Sequence, residues 1–473
     1  MDASEFRRLG HRLVDLVAEY REGLEERPVM SQVAPGAIRA RFPAEPPRRG
    51  GGAAAALDGI ERDLMPGITH WNHPSFFAYF PANATYASVL GDLLAAGLGA
   101  QGMSWQTSPA LTELEEVVMG WLRRMVGLPE GFAGVVQDTA STATLTALLC
   151  ARERSSGFAQ ERGGLQARGA PLLVYASDQA HSSVEKAALL AGFGREHLRV
   201  VPTGDDCALR LDLLEEALRR DLAAGGRPCA LVATTGTTAT AALDPVAGMA
   251  DLAARHGTWL HVDAAMAGTA MVLPECRWMW AGVERADSVV FNPHKWMGIG
   301  FDFSAYLVRD PEHLVRVMGM NPSYLRTEQD GAVRNLRDWG IPLGRRFRAL
   351  KGWLVLLDEG VDGIAARIRR DLENAQWLRE QVDAAPGWER LAPVHLQTVC
   401  LRHLPPGGGG EPRIAAHNLA LADRLNRSGR AYLTPAVVKG RQLLRVSVGA
   451  ARTERRHLEA LWGGLQEVAA AVD

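Results

Sequence analysis

The hydrophobic pattern changes along the chain, and its first part is helical. Over residues 4–25, apolar side chains recur every three or four positions, which predicts an amphipathic helix whose apolar face needs a partner. A PPRRGGG linker at 46–52 and the aromatic run HWNHPSFFAYFPA at 70–82 come after this helix. Clusters of Pro and Gly of this kind interrupt regular structure. We therefore predict that residues 1–85 form a helical arm and not a compact domain.

Short apolar runs alternate with helical patterns from about Gly134 onward. The runs PLLVYASD, CALVATTGTT, TWLHVDAA, DSVVFNP and SAYLVRD indicate strands, and the helix-length PVAGMADLAARHG separates two of them. This alternation is typical of a mostly parallel α/β sheet, in which ligands bind at the carboxyl ends of the strands. We predict a large α/β domain over 86–350. Long helical patterns return over 351–473 and predict a smaller α+β domain there.

Composition narrows the possible partners. Apolar residues at 47% and charged residues at 22% are ordinary for a globular protein and exclude disordered, collagen-like and coiled-coil chains. The 52 Lys and Arg against 54 Asp and Glu leave no basic field for nucleic acid or a membrane, so a small neutral or zwitterionic ligand fits better. The five cysteines are scattered and never form a CxxC pair, which argues against disulfides. Without a signal-peptide pattern, we expect a cytoplasmic protein.

Two residues at predicted strand ends carry the first chemical signal. Lys295 follows the apolar strand DSVVF directly, where partial desolvation would favour the neutral amine that imine formation requires. The alternative is a surface lysine whose stem passes Trp296. Asp263 ends the strand TWLHV in apolar surroundings and needs a cationic partner, which a protonated pyridine nitrogen would supply. The alternative is a carboxylate that caps the next helix.

Other candidates lie at neighbouring turns. Thr139, Ala140 and Ser141 stand where a strand turns into a helix, so free amides and hydroxyls there suit an anion, although a simple helix cap is the commoner outcome. His181 follows a strand end and can stack on a flat cofactor, or it can be a capping or core residue. His70 lies three positions before His73, but Pro74 and a missing third ligand argue against a metal site, and we predict none.

The order and spacing of these signals resemble the group II pyridoxal-phosphate decarboxylases, and specifically the aromatic-L-amino-acid decarboxylases. The motifs that carry the resemblance are MPGITHW, FFAYFPA, SWQTSPALTELE, SDQAHSSVEKA, HVDAAMAG, NPHKW and IPLGRRFRALK. The resemblance implies the aspartate-aminotransferase-like fold type I, with a large, mostly parallel seven-stranded sheet. It also implies a homodimer with active sites at the subunit interface, in which the N-terminal arm packs on the partner subunit.

The resemblance implies a role for each matching residue. Lys295 would carry pyridoxal 5'-phosphate as a Schiff base, Asp263 would pair with the pyridine nitrogen, and His181 would stack on the ring. The other cofactor-binding positions would be Thr139, Ala140, Ser141, Thr238, Ala265, Asn292 and His294. The substrate-binding positions would be His181 with Trp71, Tyr79, Phe80, Pro81, Gln101, Met103 and Gly344.

The same resemblance frames the reaction and its alternatives. The catalytic residues would be Lys295, His181, Asp263 and Tyr324, which matches the family's catalytic tyrosine. The presence of both Tyr324 and His181 favours simple decarboxylation of an aromatic amino acid to its amine. An aldehyde synthase, which consumes oxygen, is the first alternative. Gln101 and Met103 depart from the usual pocket wall, as Met266 departs from the usual aromatic residue, so a branched aliphatic substrate stays open. A non-catalytic relative is disfavoured because Lys295, Asp263 and His181 are all present.

Overall fold

The computed structural model describes residues 1–166, 169–320, 329 and 331–471. Within these, the helices are α1 (Ala3–Glu22), α2 (Ala53–Asp63), α3 (Tyr86–Leu98), α4 (Pro109–Met125), α5 (Ala140–Ser156), α6 (Ser182–Leu190), α7 (Leu211–Ala223), α8 (Val246–His256), α9 (Pro293–Trp296), α10 (Pro311–Met318), α11 (Arg348–Ala384), α12 (Glu411–Arg427) and α13 (Arg455–Ala471). The strands are β1 (Ala133–Gln137), β2 (Leu172–Ser177), β3 (Leu198–Val201), β4 (Arg227–Thr234), β5 (Trp259–Asp263), β6 (Ser288–Phe291), β7 (Ser304–Val308), β8 (Trp388–Arg390), β9 (Thr398–His403), β10 (Thr434–Val438) and β11 (Arg441–Ser447).

A seven-stranded sheet has the order β1-β7-β6-β5-β4-β2-β3. Neighbouring strands from β6 to β3 are parallel, and β7 is antiparallel to both of its neighbours. The central strands are buried at every position except Arg227 at the start of β4, as the near-continuous apolar runs predict for a parallel sheet covered on both faces. The predicted fold type I architecture is therefore confirmed. A second, four-stranded sheet has the order β10-β11-β9-β8.

The two end strands of the large sheet could not be predicted from the pattern of apolar residues. β3 has only four residues, and Val200 in it is 60% exposed, so it carries no continuous apolar run. β1 contains Gly134, a residue that weakens a strand signal. A Cβ at Gly134 would lie 2.5 Å from the Met119 side chain, so the glycine permits close packing of α4 on β1.

The chain divides into two compact units. The first comprises Met1–Pro81, Glu380–Glu389 and Leu401–Asp473, and the second comprises Ala82–Arg379 and Arg390–Cys400. In the first unit, the side chains of Phe6, Leu13 and Val14 on α1 are exposed. The three-part domain division drawn from the sequence stays a prediction. None of the described helices combines the length and the apolar character needed to cross a membrane.

Candidate active site

Asp263 ends β5 in the middle of the large sheet and is 4% exposed. Its Cα is paired with those of Thr234 on β4 and Val290 on β6, so three strand ends meet around it. The Ala265 amide donates to its Oδ1 at 3.0 Å. One oxygen therefore binds the local backbone, as the capping alternative expected. That single neutral hydrogen bond leaves room for a cationic partner, which a buried carboxylate favours.

Lys295 lies on the short helix α9, directly after β6, and its side chain is partly buried. Its amide donates to the Asn292 carbonyl at 2.9 Å, and its carbonyl accepts from Asn83 Nδ2 at 2.9 Å. Ala265 and Asn292 join the ends of β5 and β6, because the Asn292 amide donates to the Ala265 carbonyl at 2.9 Å. Main-chain hydrogen bonds therefore connect the residues that follow β5 with those that follow β6, so Asp263 and Lys295 lie at the same edge of the sheet.

His181 is the N-cap of α6, where its Nδ1 accepts from the Ser183 amide at 3.1 Å. Partial burial of the ring lowers the pKa of His181, although the side chain remains exposed to solvent. The charge of Lys295 lowers this pKa further, and the charge of Asp263 opposes both effects. The imidazole is therefore neutral at neutral pH and lies within electrostatic reach of both Asp263 and Lys295. His181 therefore caps α6, and its stacking on a cofactor stays a prediction.

The start of α5 lies near the same edge and is the turn that the sequence predicts to bind an anion. Thr139 caps the helix, with its hydroxyl accepting from the Thr142 amide at 3.4 Å, and the amides of Ala140 and Ser141 open the first turn. First-turn amides have no partner within a helix. Ser304 links this turn to the lysine-bearing strand end, because its hydroxyl lies 3.4 Å from the Asp138 carbonyl and 2.7 Å from Asn292 Oδ1.

His294 and Thr238 border the edge in different ways. His294 Nδ1 accepts from the Phe303 amide at 3.0 Å, and burial, followed by the charge of Lys295, lowers the pKa of His294 to about 3. Its ring is therefore neutral, with Nε2 as its remaining polar atom. Thr238 is exposed in the loop after β4, which Thr237 stabilises by accepting from the Ala242 amide at 3.0 Å. The cofactor-binding roles of both residues stay predictions.

Gln101 finds its polar partners on its own chain. Its Oε1 accepts from the Met103 amide at 2.8 Å and from the Arg345 amide at 3.3 Å. A Cβ at Gly344 would meet Gln101 Nε2 at 3.5 Å, which is an ordinary contact. Arg345 is buried and paired with Glu115 at 2.8 Å. Gln101 therefore joins two loops, in addition to any contact with a ligand.

The predicted substrate-side residues Trp71, Tyr79, Phe80 and Pro81 lie in one segment of the first unit. Trp71 stacks on Tyr79 with ring centroids 5.5 Å apart, and the Arg445 guanidinium lies 4.4 Å from the Phe80 centroid. Both Trp71 and Tyr79 are more than one-third exposed, so they offer aromatic surface to a ligand. Tyr324 lies outside the described residues. Among those described, no cluster of His, Cys, Asp and Glu has the three members needed to hold a metal ion.

Several supporting residues carry no motif signal. His261 lies on the same sheet face as Asp263, two positions earlier, and is fully buried between Ser288 and Thr144. Burial lowers the pKa of His261 to about 4, so it packs as a neutral ring. Asp244 is also buried and accepts from the Thr234 amide at 2.8 Å. A sequence could reveal such residues only through contacts between distant positions.

Comparison with known proteins identifies the family of the chain. Residues 35–404 match the family model described as the pyridoxal-dependent decarboxylase conserved domain. The chain is 41% identical to the aromatic-L-amino-acid decarboxylase of Bos taurus over 100% of its own length and 97% of the relative. It is 40% identical to the phenylacetaldehyde synthase of Arabidopsis thaliana, covering 99% of this chain and 96% of that protein.

Solved structures give the same result. A crystal structure of Oryza sativa TDC with PLP and tryptamine superimposes with a TM-score of 0.96 at 36% identity, covering 100% of this chain and 99% of that one. A crystal structure of Rhodiola rosea 4-hydroxyphenylacetaldehyde synthase gives a TM-score of 0.92 at 33% identity, covering 100% of this chain and 99% of that one. The chain belongs to the pyridoxal-dependent decarboxylases, enzymes that use pyridoxal 5'-phosphate as cofactor.

Proposed function

We propose that this enzyme removes the α-carboxyl group of an aromatic L-amino acid as carbon dioxide and releases the corresponding arylalkylamine. The observation that carries the proposal is the position of Asp263 and Lys295 after the ends of the paired strands β5 and β6, which the Asn292 amide and the Ala265 carbonyl join. His181 lies close enough for both charges to act on its ring. The relatives support the substrate class, because the bovine relative is named an aromatic-L-amino-acid decarboxylase and the rice structure contains tryptamine.

The residues present fit pyridoxal 5'-phosphate. The first-turn amides of Ala140 and Ser141 suit its phosphate, as do the Nδ2 amide of Asn292 and the Nε2 atom of His294. Thr139 fixes this turn by capping α5. The buried Asp263 carboxylate would pair with the pyridine nitrogen, and the Lys295 amine would hold the cofactor's carbonyl carbon. When bound, the cofactor supplies an electron sink for the carbanion left by decarboxylation.

The side chains around the cofactor would orient the substrate and handle the proton. The neutral His181 ring can stack on a flat cofactor without placing a second cation beside it. Thr238 and Ala265 would border the cofactor at the ends of β4 and β5. We assign the return of a proton to the substrate α-carbon to the Tyr324 hydroxyl. This assignment rests on the sequence, and the Tyr324→Phe variant tests it.

An aromatic side chain of the substrate would contact the segment that contains Trp71, Tyr79, Phe80 and Pro81. Rings prefer offset stacked or edge-to-face neighbours, and the stacked, exposed Trp71 and Tyr79 supply both faces and edges. Gln101, Met103 and Gly344 are the other proposed substrate-binding positions, and Gly344 adds no side-chain bulk.

A second copy of this chain is the proposed partner. Helix α3 exposes Tyr86, Leu90, Leu93, Leu94 and Leu98, each by 47% or more. Side chains at this helical spacing form one apolar stripe, and such a stripe marks an interaction surface. A homodimer with active sites at its interface would cover the stripe. We also propose a cytoplasmic location, which agrees with five buried cysteines that form no disulfide among the described residues.

The test incubates purified enzyme and cofactor with each protein amino acid while carbon dioxide, amine, aldehyde and oxygen are measured. We expect carbon dioxide and amine in equal amounts, with aromatic substrates preferred, and no oxygen uptake. Tyr324→Phe should retain carbon dioxide release and divert the carbon skeleton to aldehyde. Carbon dioxide release from aliphatic substrates alone would contradict the aromatic assignment, and absence of turnover with all substrates would indicate a non-catalytic relative.

An aromatic aldehyde synthase is the second candidate, because the chain is 40% identical to an enzyme of that name from Arabidopsis thaliana. That activity would consume oxygen and release ammonia and peroxide with the aldehyde. Oxygen uptake by the wild-type enzyme, matched to carbon dioxide release, would favour this candidate over the amine-forming reaction.

A further inference from the structure

The turn that carries Lys295 comprises residues 292–298. Its main chain is hydrogen-bonded to a side chain of α11. Arg367 Nη1 donates to the Trp296 carbonyl at 2.7 Å, and Nη2 donates to the Met297 carbonyl at 3.0 Å. Glu359 orients this guanidinium through a 2.8 Å hydrogen bond to Nη2. Carbonyls at the end of a helix lack partners within it and attract a cation. Arg367 therefore closes the end of the helix that carries Lys295.

Trp296, the residue after Lys295, is fixed by a second group on the same helix. The indole Nε1 donates to Asp371 Oδ2 at 2.8 Å, and both side chains are 0% exposed. Asp371 follows Arg367 by four positions on α11, so the two side chains lie on one face of that helix. Arg367 therefore holds the backbone of the turn, while Asp371 holds its largest side chain.

The other carbonyls of the turn are bonded from the segment before α3. The Lys295 carbonyl accepts from Asn83 Nδ2 at 2.9 Å, and the Gly298 carbonyl accepts from the Thr85 amide at 2.9 Å. Every carbonyl from 295 to 298 thus accepts a hydrogen bond from a residue outside the turn. A turn bonded at each peptide unit has few alternative conformations.

We propose that Arg367 and Asp371 are positioning residues that fix the main chain of Lys295 for cofactor binding. The proposal rests on the proposed function of Lys295 as the lysine that holds the cofactor. A fixed main chain lowers the entropy lost when the lysine side chain is immobilised, and such preorganisation strengthens binding. Arg367 and Trp296 are 71 positions apart, so no local motif contains this relationship.

The first test uses the full-length holoenzyme and compares Arg367→Met with Arg369→Met. Arg369 is a matched control because it lies two positions away on α11, is half exposed and pairs with Glu275 at 2.7 Å. The measurements are the rate of cofactor loss on dilution, followed by the visible absorbance of the bound cofactor, and amide hydrogen exchange over residues 294–300. We expect Arg367→Met to speed cofactor loss by about tenfold, or about 1.4 kcal/mol, and to accelerate exchange. Arg369→Met should match the wild type in both measurements.

A second pair of variants covers the case in which Arg367→Met does not fold. Asp371→Asn keeps an oxygen that can accept from the Trp296 indole, whereas Asp371→Leu removes it. We expect faster exchange over 294–300 and faster cofactor loss in Asp371→Leu, and neither increase in Asp371→Asn. The inference would be overturned if Arg367→Met matched Arg369→Met in exchange and cofactor loss. It would also be overturned if Asp371→Leu matched Asp371→Asn in both measurements.

The inference and the proposed function fail in different experiments. A wild-type enzyme that never develops the absorbance of bound cofactor, or a Lys295→Ala variant that keeps it, would contradict the proposed role of Lys295. Hydrogen exchange over 294–300 reports the order of the turn whether or not that role is correct. A wild-type enzyme that binds cofactor, together with variants that show no difference, would overturn the positioning role alone.

Discussion

The lysine turn, residues 292–298, and the aromatic segment, residues 71–81, are both bonded into the protein by distant residues, but their own conformations differ. The lysine turn follows a buried strand and continues as a short helix, a common local geometry. The aromatic segment has no regular structure, and Tyr79 in it has a φ of 50°. A non-glycine residue in this left-handed region carries strain that its surroundings must offset.

Contacts with β10 and β11 offset that strain. The Arg445 guanidinium, 4% exposed, donates to the Tyr79 carbonyl, and Thr434 Oγ1 accepts from the Tyr79 amide at 3.5 Å. Phe77 is bonded on both sides, donating to the Tyr432 carbonyl at 2.8 Å and accepting from the Ser447 amide at 2.9 Å. The lysine turn therefore has a backbone conformation that is favourable locally, and hydrogen bonds to distant residues stabilise it further. The aromatic segment has an unfavourable backbone conformation at Tyr79, which exists only because distant residues stabilise it.

Replacing the amine of the lysine turn should have the largest effect. Lys295→Ala removes the group proposed to hold the cofactor, so we expect turnover to fall to background and the visible absorbance of bound cofactor to disappear. Lys186→Ala is the control, because Lys186 is exposed on α6. Wild-type absorbance in Lys295→Ala would show that another group holds the cofactor.

The two regions differ in how far the sequence predicts them. The motif NPHKW after an apolar strand predicts a partly buried lysine at a sheet edge, because strand, turn and short helix are adjacent in the chain. The proposed cofactor requires both this lysine and Asp263, which ends the neighbouring strand. The sequence names Tyr79 only through its resemblance to a family. Its strained φ depends on Arg445, which lies 366 positions away.

The same limit applies to the rest of the molecule. The central strands and the fold type could be predicted, because buried parallel strands have apolar runs of characteristic length. The supports of the lysine turn could not, since Arg367 and Asp371 are charged positions on a long helix that a pattern assigns to solvent. Only the three-dimensional contact with Trp296 distinguishes them from the exposed Arg369.

Removing the guanidinium that holds the aromatic segment should have the next largest effect. Arg445→Met leaves the Tyr79 carbonyl without its charged donor and removes the cation over Phe80. A lost charged hydrogen bond costs about 1.5–3 kcal/mol, so we expect KM for an aromatic substrate to rise roughly 10- to 100-fold. The absorbance of bound cofactor should not change, which separates this region from the lysine turn.

Arg441→Met provides the matched control for that variant. Arg441 lies on the same strand, β11, but its side chain is 45% exposed and pairs with Glu389. We expect its KM to equal that of the wild type. An equal rise in KM for both variants would mean that β11 affects the enzyme through general stability and not through Tyr79.

The carboxyl group of Asp371, which is hydrogen-bonded to Trp296 of the lysine turn, makes the free energy of unfolding depend on pH. Burial raises the pKa of Asp371 from 3.8 to about 6. Because the folded protein then binds this proton more tightly than the unfolded chain, stability falls as pH rises between about 4 and 6, and the loss is complete above that window. Asp371→Asn should therefore be more stable than the wild type at pH 7.5, by roughly 1–3 kcal/mol, and similar to it at pH 4. Thermal unfolding at the two pH values measures the difference, and a gain at pH 4 alone would reverse the argument.

The smallest effect should come from one oxygen of the aromatic segment. The hydroxyls of Tyr79 and Tyr432 lie 3.4 Å apart, a long hydrogen bond, and burial followed by this contact raises the pKa of Tyr432 to about 12. Tyr432→Phe removes the contact but keeps the edge-to-face packing of the ring on Phe76. A neutral hydrogen bond contributes about 0.5–1.5 kcal/mol, and this partly exposed one lies at the low end, so KM should rise only about twofold. A rise as large as that of Arg445→Met would show that the hydroxyl pair, and not the backbone contact of Arg445, sets the position of Tyr79.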